Sequence, residues 1–395
     1  MKALTSRERV QRSLRFQEAD RVPIDVGGGL CSISQFAYRK LLAHLGWEEE
    51  IIIGGLLTQV VRPSTRMLER LGSDFGHVSA GPPDVKLGRN LVGSADQPFE
   101  AFSSGAGHHT FMDEWGVVWR RAAYYYDMID FPLKDAQSMA DLDHYRWPDP
   151  LDPGRFRHLA QWARREREER QVAVTLDPLA GGLVEMAASL RGHQNYYTDM
   201  AANPEFAGAL LDAITDFFER FYEGALGAAG AYIDVVLFGD DYGTQNAMLF
   251  SPRMWRALVK PRLARLIRKI KSLADVKFML HSCGAIAPIL GDLVEMGVDI
   301  LNPVQPSACG MEPAAIKQQY GGRLVLHGAI DQQGVLPHGT VQDVENEVRV
   351  RLRDLAGGGG YILAVSPNIQ ADVPPENILA LYDAAQRLGK YPVGV

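Results

Sequence analysis

Cysteine is scarce in this chain. Cys31, Cys283 and Cys309 are its three cysteines, and they lie far apart. An odd, sparse set excludes a disulfide framework and suits a reducing compartment. Long apolar runs are also missing: no stretch of about 18 apolar residues is present to span a membrane. The charged, amphipathic opening MKALTSRERVQRSLRFQ lacks the apolar centre of a secretory signal. The expected location is the cytoplasm. Positive charge is not in excess, since the formal net charge is -7. That balance argues against nucleic acid or an anionic membrane as a partner. There is no GxGxxG turn after a strand, no P-loop and no GxSxG elbow.

What is present is ordinary for a soluble globular protein: 46% hydrophobic and 23% charged residues over 395 positions. That length suits a large α/β barrel with additions. Thr5 and Ser6, with Glu8 behind them, predict an N-capped amphipathic helix. RVPIDVGGG, from Arg21, reads as a strand running into a glycine turn. Helices are expected over 32–45 and 63–71. Residues 74–135 read as irregular or β-rich, with a hairpin around Glu114 to Gly116. Residues 131–152 read as an exposed connector. From Arg155 onward helical and apolar segments alternate. Strands are expected near Val172, in AYIDVVLFGDD, VKFMLH, VDILNPVQP, GRLVLHGAIDQQG and GGGGYILAVSPNIQ. Helices are expected over 155–170, 183–190, 204–227, 252–273, 286–296, 312–320, 341–356 and 375–388. Strand–helix alternation at this spacing calls for parallel crossovers. The expected fold is a TIM (β/α)₈ barrel. Residues 1–154 form an N-terminal α/β extension and connector that includes the first barrel elements. Residues 155–395 form the barrel body, and the two make one structural unit.

Chemistry concentrates in VKFMLHSCG, residues 276–284. Residues two apart in an extended chain point the same way, so His281 and Cys283 aim at one point beyond a strand end. Imidazole and thiolate together suit zinc, although the same pair also describes a buried thiol beside a hydrogen-bonded core histidine. Other polar residues end the neighbouring strands. Asp240 and Asp241 are either a third ligand, a general base or a turn cap. His327 is either a ligand or a histidine hydrogen-bonded in the barrel mouth. Asp331 and Gln333 suit positions that orient a ligand. Asp177, Asn302 and Gln305 end their own strands. Glu185, on the first turns of a helix, reads as structural. Cys309 reads as a helix-entry residue, or as one brought in by a mobile loop. The tandem glycines 357–360 follow a helix and precede a strand, which is the wrong order for a phosphate cradle. They read as a C-cap and tight turn. Trp115, Trp119 and Tyr124 to Tyr126 either line a flat-ligand cleft or serve in core or lid packing.

Several segments together resemble the uroporphyrinogen decarboxylase superfamily: RERVQRSLRFQEADRVPID, WPDP, GDDYGTQ, LHSCGAI, LNPVQPSACGMEP, LHGAIDQQGVLPHGT and SPNIQADVPPENI. The resemblance covers nearly the whole chain and implies a TIM barrel. The superfamily divides into true decarboxylases and cobamide-dependent methyltransferases. The latter use a zinc held by His-x-Cys and a distant Cys. His281 and Cys283 match that motif. The chain departs from both branches. VGGGLCSISQFAYRK stands where decarboxylases carry an RQAGR-like segment, and SPNIQ, around Asn368, stands where they carry a GHG-like motif and methyltransferases carry the third cysteine. No DxHxxG corrinoid-binding stretch is present.

The reading closest to these motifs is a methyltransferase. It would take zinc at His281/Cys283, a small-molecule substrate and a corrinoid on a separate protein, and it could work as a homodimer. In it Asp240, Asp241, His327 and Asp331 serve catalysis. Asp177, Asn302, Gln305, Gln333 and Asn368 bind substrate. The alternatives are a decarboxylase of a tetrapyrrole or another carboxylic acid, and a non-catalytic ligand-binding barrel. Right-handed crossovers place parallel strand ends on one side. Asp177, Asp240, Asp241, His281, Cys283, Asn302, Gln305, His327 and Asp331 are therefore expected to converge at one end of the barrel.

Overall fold

The structure, a computed structural model, describes residues 4–85, 89–92 and 110–394. Part of the stretch read as irregular or β-rich lies outside the described residues. The sheet that organises the molecule has seven parallel strands. In chain order they are β1 (Phe75–Val78), β2 (Ala173–Leu176), β3 (Val235–Gly239), β4 (Lys277–His281), β5 (Ile300–Val304), β6 (Val325–Asp331) and β7 (Tyr361–Ser366). Neighbours in sequence are neighbours in space. That is the order of a singly wound barrel, whereas a doubly wound sheet reverses at a switch point. The strands are buried on both faces because helices cover the outside.

The gap between β7 and β1 is filled by residues 22–26. Asp25 N donates to Leu363 O and Leu363 N donates to Pro23 O, both at 2.9 Å, while Asp74 N donates to Ile24 O at 2.8 Å. Ile24 and Leu363 form a parallel bridge. The strand read at RVPID is thus the eighth stave, and the barrel closes. A buried carboxylate fixes the seam. Asp74 receives Arg9 at 2.5 Å, Arg21 at 2.7 Å and the Ile24 N–H at 2.9 Å.

Inside the barrel, alternate residues form an apolar layer of Phe75, Ala173, Val235, Leu237, Met279, Ile300, Val325 and Ile362. Val10 and Leu14 close its lower end. They are presented by the helix Ser6–Ser13, whose Thr5–Glu8 capping box is formed. With a period of two, the next inward positions up the strands are His77, Thr175, His281, Asn302 and His327. Polar residues therefore stand directly above an apolar floor.

Several elements differ from expectation. The charged helix over 155–170 starts later, at Leu159, and ends in a π turn over Arg165–Glu169. Its N-terminal part is diverted because Arg155 turns inward to pair with Glu114. A helix over His193–Ala202 was not anticipated. Its apolar signal is thin, with Tyr196 and Met200 as its buried residues. Two short antiparallel strands form at Ile52–Gly55 and Val60–Arg62, in a stretch to which the sequence pattern assigns no element. The hairpin forms as strands Thr110–Met112 and Val118–Arg121, and Asp113 accepts from Trp115 N, Val117 N and Trp119 Nε1 across the turn. Trp115 packs on Phe217 at 4.5 Å, while Tyr124 and Tyr125 are exposed.

The tandem glycines form a left-handed turn after the helix Val341–Leu355, with φ of +73°, +75° and +70° at Gly358, Gly359 and Gly360. Lys317 Nζ donates to Gly359 O at 2.6 Å. Burial lowers this ammonium to about 8, whereas an unfolded lysine titrates near about 10.4. Between those values the unfolded chain binds more protons, so stability gains with rising pH. Lys317→Met should lack this gain. The difference in urea midpoint between wild type and variant should move in favour of wild type from pH 7 to pH 10. A constant difference would show that Lys317 keeps an ordinary pKa.

Candidate metal centre

β4 ends at His281, and the chain turns at Ser282 and Cys283. Gly284 makes the turn possible: its φ is +84°, and a Cβ there would lie 2.5 Å from Thr244 O. Asp241 follows the end of β3 and accepts from Cys283 N at 2.7 Å. Ligand atoms of Asp241, His281 and Cys283 all lie within 4.8 Å of one another. His281 Nε2 is 3.5 Å from Cys283 Sγ and 3.7 Å from Asp241 Oδ1. A tetrahedral zinc with these donors needs edges of about 3.4–3.6 Å, so this donor set fits the ion in chemistry and in spacing.

The imidazole is pre-set for the role. His281 Nδ1 is hydrogen-bonded to Asn302 Oδ1, which puts the ring proton on Nδ1 and leaves the Nε2 lone pair facing Cys283 and Asp241. Asn302 Nδ2 then donates to His327 Nδ1 at 2.6 Å, and His327 Nε2 donates to Asp25 Oδ2 at 2.9 Å. The chain continues through Asp25 Oδ1 to His77 Nε2 at 2.9 Å, and from His77 Nδ1 to Asp177 Oδ1 at 2.8 Å. Six side chains from six staves of the barrel form one buried line of hydrogen bonds.

Asp240 behaves differently from Asp241. It is fully buried and accepts from Val184 N and Glu185 N at the start of the helix Leu183–Arg191. Burial still pushes it up to about 7. Glu185 lies close by. Burial, then Asp241 and Asp240, raise its carboxyl well above the usual range. Burial, then the charges of Asp241 and Glu185, also hold Cys283 as a thiol. A cation at the cluster is the element that would ionise it.

The remaining candidates are placed as follows. Asp177 ends the hydrogen-bonded line. Gln305 accepts from Gly284 N at 2.8 Å and donates to Gln245 Oε1 at 3.0 Å, so it ties two mouth loops together. Asn368 accepts from Ser32 N at 2.8 Å and donates to Gly29 O, which anchors the loop after residue 26. Leu30 in that loop lies over Gly239, where a Cβ would come 3.1 Å from Leu30 Cδ1. Asp331 accepts from Gln333 N, Gly334 N and Val335 N and starts the short helix Val335–His338. Gln333 is exposed and accepts from Ser307 Oγ. Cys309 is exposed in the loop after β5.

Sequence reasoning did not single out Asp25, Cys31 or His77, and it took Glu185 as structural. The period-two pattern held the signal for His77: Phe75 faces the apolar floor, so His77 faces the polar layer as His281 does above Met279.

Residues 131–388 match the profile of the family described as Uroporphyrinogen decarboxylase (URO-D). The chain belongs to the uroporphyrinogen decarboxylase family. A methylated-thiol–coenzyme M methyltransferase from Methanosarcina mazei is 26% identical over 265 residues, which span 66% of this chain and 66% of that protein, just under two thirds of its length. A methylcobamide:CoM methyltransferase MtaA from Methanosarcina barkeri is 29% identical over 52% of this chain and 57% of its own. A uroporphyrinogen decarboxylase from Alkalilimnicola ehrlichii is 24% identical over 82% of this chain and 86% of its own. Relatives of both kinds are enzymes. Among solved structures, a methyltransferase from Methanosarcina mazei superposes with a TM-score of 0.65 at 18% identity, covering 97% of this chain and 99% of that one. The fold is the TIM barrel of this family, with N-terminal additions. Among the described residues, no helix is long and apolar enough to cross a membrane.

Proposed function

We propose that this chain is a methyltransferase of the family, moving a methyl group between a corrinoid carried on a separate protein and a small acceptor or donor. The observation that carries the reading is the Asp241–His281–Cys283 donor set at the barrel mouth. It joins the His-x-Cys pair to a carboxylate that follows β3, a different part of the chain from SPNIQ, where methyltransferases of the family carry their third cysteine. The similarity to a methylated-thiol and a methylcobamide methyltransferase supports a thiol as the acceptor. A zinc ion held by these three residues would supply a Lewis acid that keeps a bound thiol as thiolate at neutral pH. Asn302 fixes the tautomer of His281. Asp241 steadies the Cys283 backbone. The loop carrying Leu30, held by Asn368, limits water at the mouth. In a reducing compartment the cysteine ligand stays available.

The decarboxylase reading needs cations at the mouth to hold carboxylates. Arg39, the arginine nearest the position of the decarboxylase motif, lies on the helix Gln35–Leu45 and donates to Gln35. The test is to incubate zinc-loaded protein with methylcobamide and a small thiol and to follow the loss of the methyl–cobalt absorbance. Methyl transfer to the thiol is expected. No transfer to any thiol, together with coproporphyrinogen formed from uroporphyrinogen, would replace the reading with the decarboxylase.

Asn302→Ala should weaken zinc binding by about 10- to 100-fold, because the partner that sets a ligand histidine's tautomer is lost. Competition with a chelator measures it. An unchanged affinity would show that His281 is oriented by other contacts.

A further inference from the structure

A second donor set lies on the same hydrogen-bonded line, with Asn302 and His327 between it and His281. Asp25, Cys31 and His77 offer ligand atoms that are all within 4.8 Å of one another. His77 Nε2 is 2.9 Å from Asp25 Oδ1 and 3.9 Å from Cys31 Sγ. None of the three belongs to the Asp241–His281–Cys283 cluster. We infer that Asp25, Cys31 and His77 form a second site for one divalent cation of the zinc class, separate from the centre at His281.

Two independent features support a built site. The first is the support behind each donor. His77 Nδ1 is held by Asp177 at 2.8 Å, the carboxylate–histidine pairing that turns the other ring nitrogen toward a metal. The second oxygen of Asp25 is held by His327 Nε2 at 2.9 Å, and His327 is itself fixed by Asn302. His77 and Asp25 thus each have their second polar atom engaged away from the proposed ion, while the Cys31 thiol donates to Gly27 O at 2.9 Å. The second feature is the approach of the loop. Gly28 has φ +70°, and a Cβ there would lie 2.2 Å from His77 Nδ1. Only glycine lets the backbone lie against that ring, and three residues later Cys31 is turned in and buried.

The charge balance agrees. The titratable groups acting on His77 are Asp25, Asp177 and Cys31, all acids. Without a cation the ring must carry both protons to satisfy two carboxylates, and burial with Asp25 and Asp177 beside it holds the Cys31 thiol up to about 12. A dication bound to Asp25 and the Cys31 thiolate is neutralised locally, and the displaced protons leave to solvent. The 2.9 Å edge between His77 and Asp25 opens by about 0.5 Å, and the 3.9 Å edge between His77 and Cys31 closes by about 0.3 Å, to reach tetrahedral edges. The consequence is mechanical. A cation there ties the 27–31 loop, with Leu30 over the mouth, to β1 and to the closing stave.

The full-length protein, reduced and stripped of metal, is titrated with cobalt(II), and a parallel sample is loaded with zinc, dialysed and assayed for bound zinc. Two equivalents are expected, each adding a thiolate-to-cobalt charge-transfer band of similar strength. Cys31→Ser should remove one equivalent and about half the band. His77→Gln should remove one equivalent as well, and His281→Ala should remove the other. One equivalent in wild type, kept in Cys31→Ser and His77→Gln and lost in His281→Ala, overturns the second site and leaves the first standing. Loss of the equivalent in His77→Gln alone, with His281→Ala fully loaded, does the reverse. If Cys31→Ser does not fold, the wild-type titration decides, because a second equivalent with no added thiolate band excludes Cys31 as a ligand.

Discussion

His281→Ala is expected to lower methyl transfer on the order of a thousandfold and to release the metal at the centre it shares with Cys283 and Asp241. The size follows from the chemistry assigned to the site. Metal activation of a nucleophile is worth several kcal/mol, and about 4 kcal/mol corresponds to roughly a thousandfold in rate. The imidazole is one of three proposed donors, so its removal leaves a carboxylate and a thiol whose ionisation burial disfavours. The barrel should still fold, because His281 does not belong to the apolar floor, at a cost of about 1–3 kcal/mol for the buried Asn302 amide left without its partner. Cys283→Ser separates charge from shape: the hydroxyl keeps the volume but cannot serve as a thiolate. It should lose metal as His281→Ala does, with the same circular dichroism as wild type. Chelator competition and single-turnover transfer from methylcobamide measure both. A His281→Ala protein that transfers methyl groups at the wild-type rate would remove the metal from the reaction.

The barrel and one half of the polar layer are legible in the sequence because they rest on short-range patterns. Apolar runs ending in Asp, His or Asn mark β2 to β6, and each is followed by a helix-length segment. His281 and Cys283 are read from spacing alone, since two positions along an extended end point the same way. The other half is hidden for a physical reason. Asp25 and His77 lie on the two staves that meet at the seam, one in a segment that reads as a strand entering a turn and one in a stretch with few apolar neighbours. Their partners, Leu363, His327 and Asp177, are distant in sequence. No local pattern joins residue 25 to residue 327. The two adjacent carboxylates show the same limit. Asp240 and Asp241 look alike in sequence, yet Asp240 is taken up by the backbone N–H groups of Val184 and Glu185, while Asp241 faces His281. The difference is made by where the helix after β2 begins.

Asp74→Ala is expected to cost about 3–5 kcal/mol, the largest stability loss of any single polar substitution argued for this protein. Asp74 is fully buried and serves three donors: Arg9 at 2.5 Å, Arg21 at 2.7 Å and the Ile24 N–H at 2.9 Å. Truncating one partner of a buried ion pair leaves the other charges without compensation, which costs about 3–5 kcal/mol. Arg9 keeps Asp20 as a partner at 2.7 Å, but among the described residues Arg21 keeps only backbone carbonyls, and the Ile24 N–H loses its acceptor. An exposed pair such as Arg70–Asp383 makes the contrast. Its side chains are 32% and 52% exposed, and pairs of that kind contribute about 0–1 kcal/mol. Against a total stability of about 5–15 kcal/mol, the Asp74 loss is large enough to shift the urea midpoint plainly, with the slope unchanged if the barrel still unfolds as one unit. Asp74→Asn should cost less, since its amide oxygen can still accept from Ile24. The defect should also reach the site: Ile24 precedes Asp25, and a loosened seam releases the carboxylate that His77 and His327 share. Slower metal uptake by Asp74→Asn at a urea concentration where it remains folded would show that coupling. An Asp74→Ala protein within about 1 kcal/mol of wild type would mean that residues 22–26 hold their place through backbone hydrogen bonds alone.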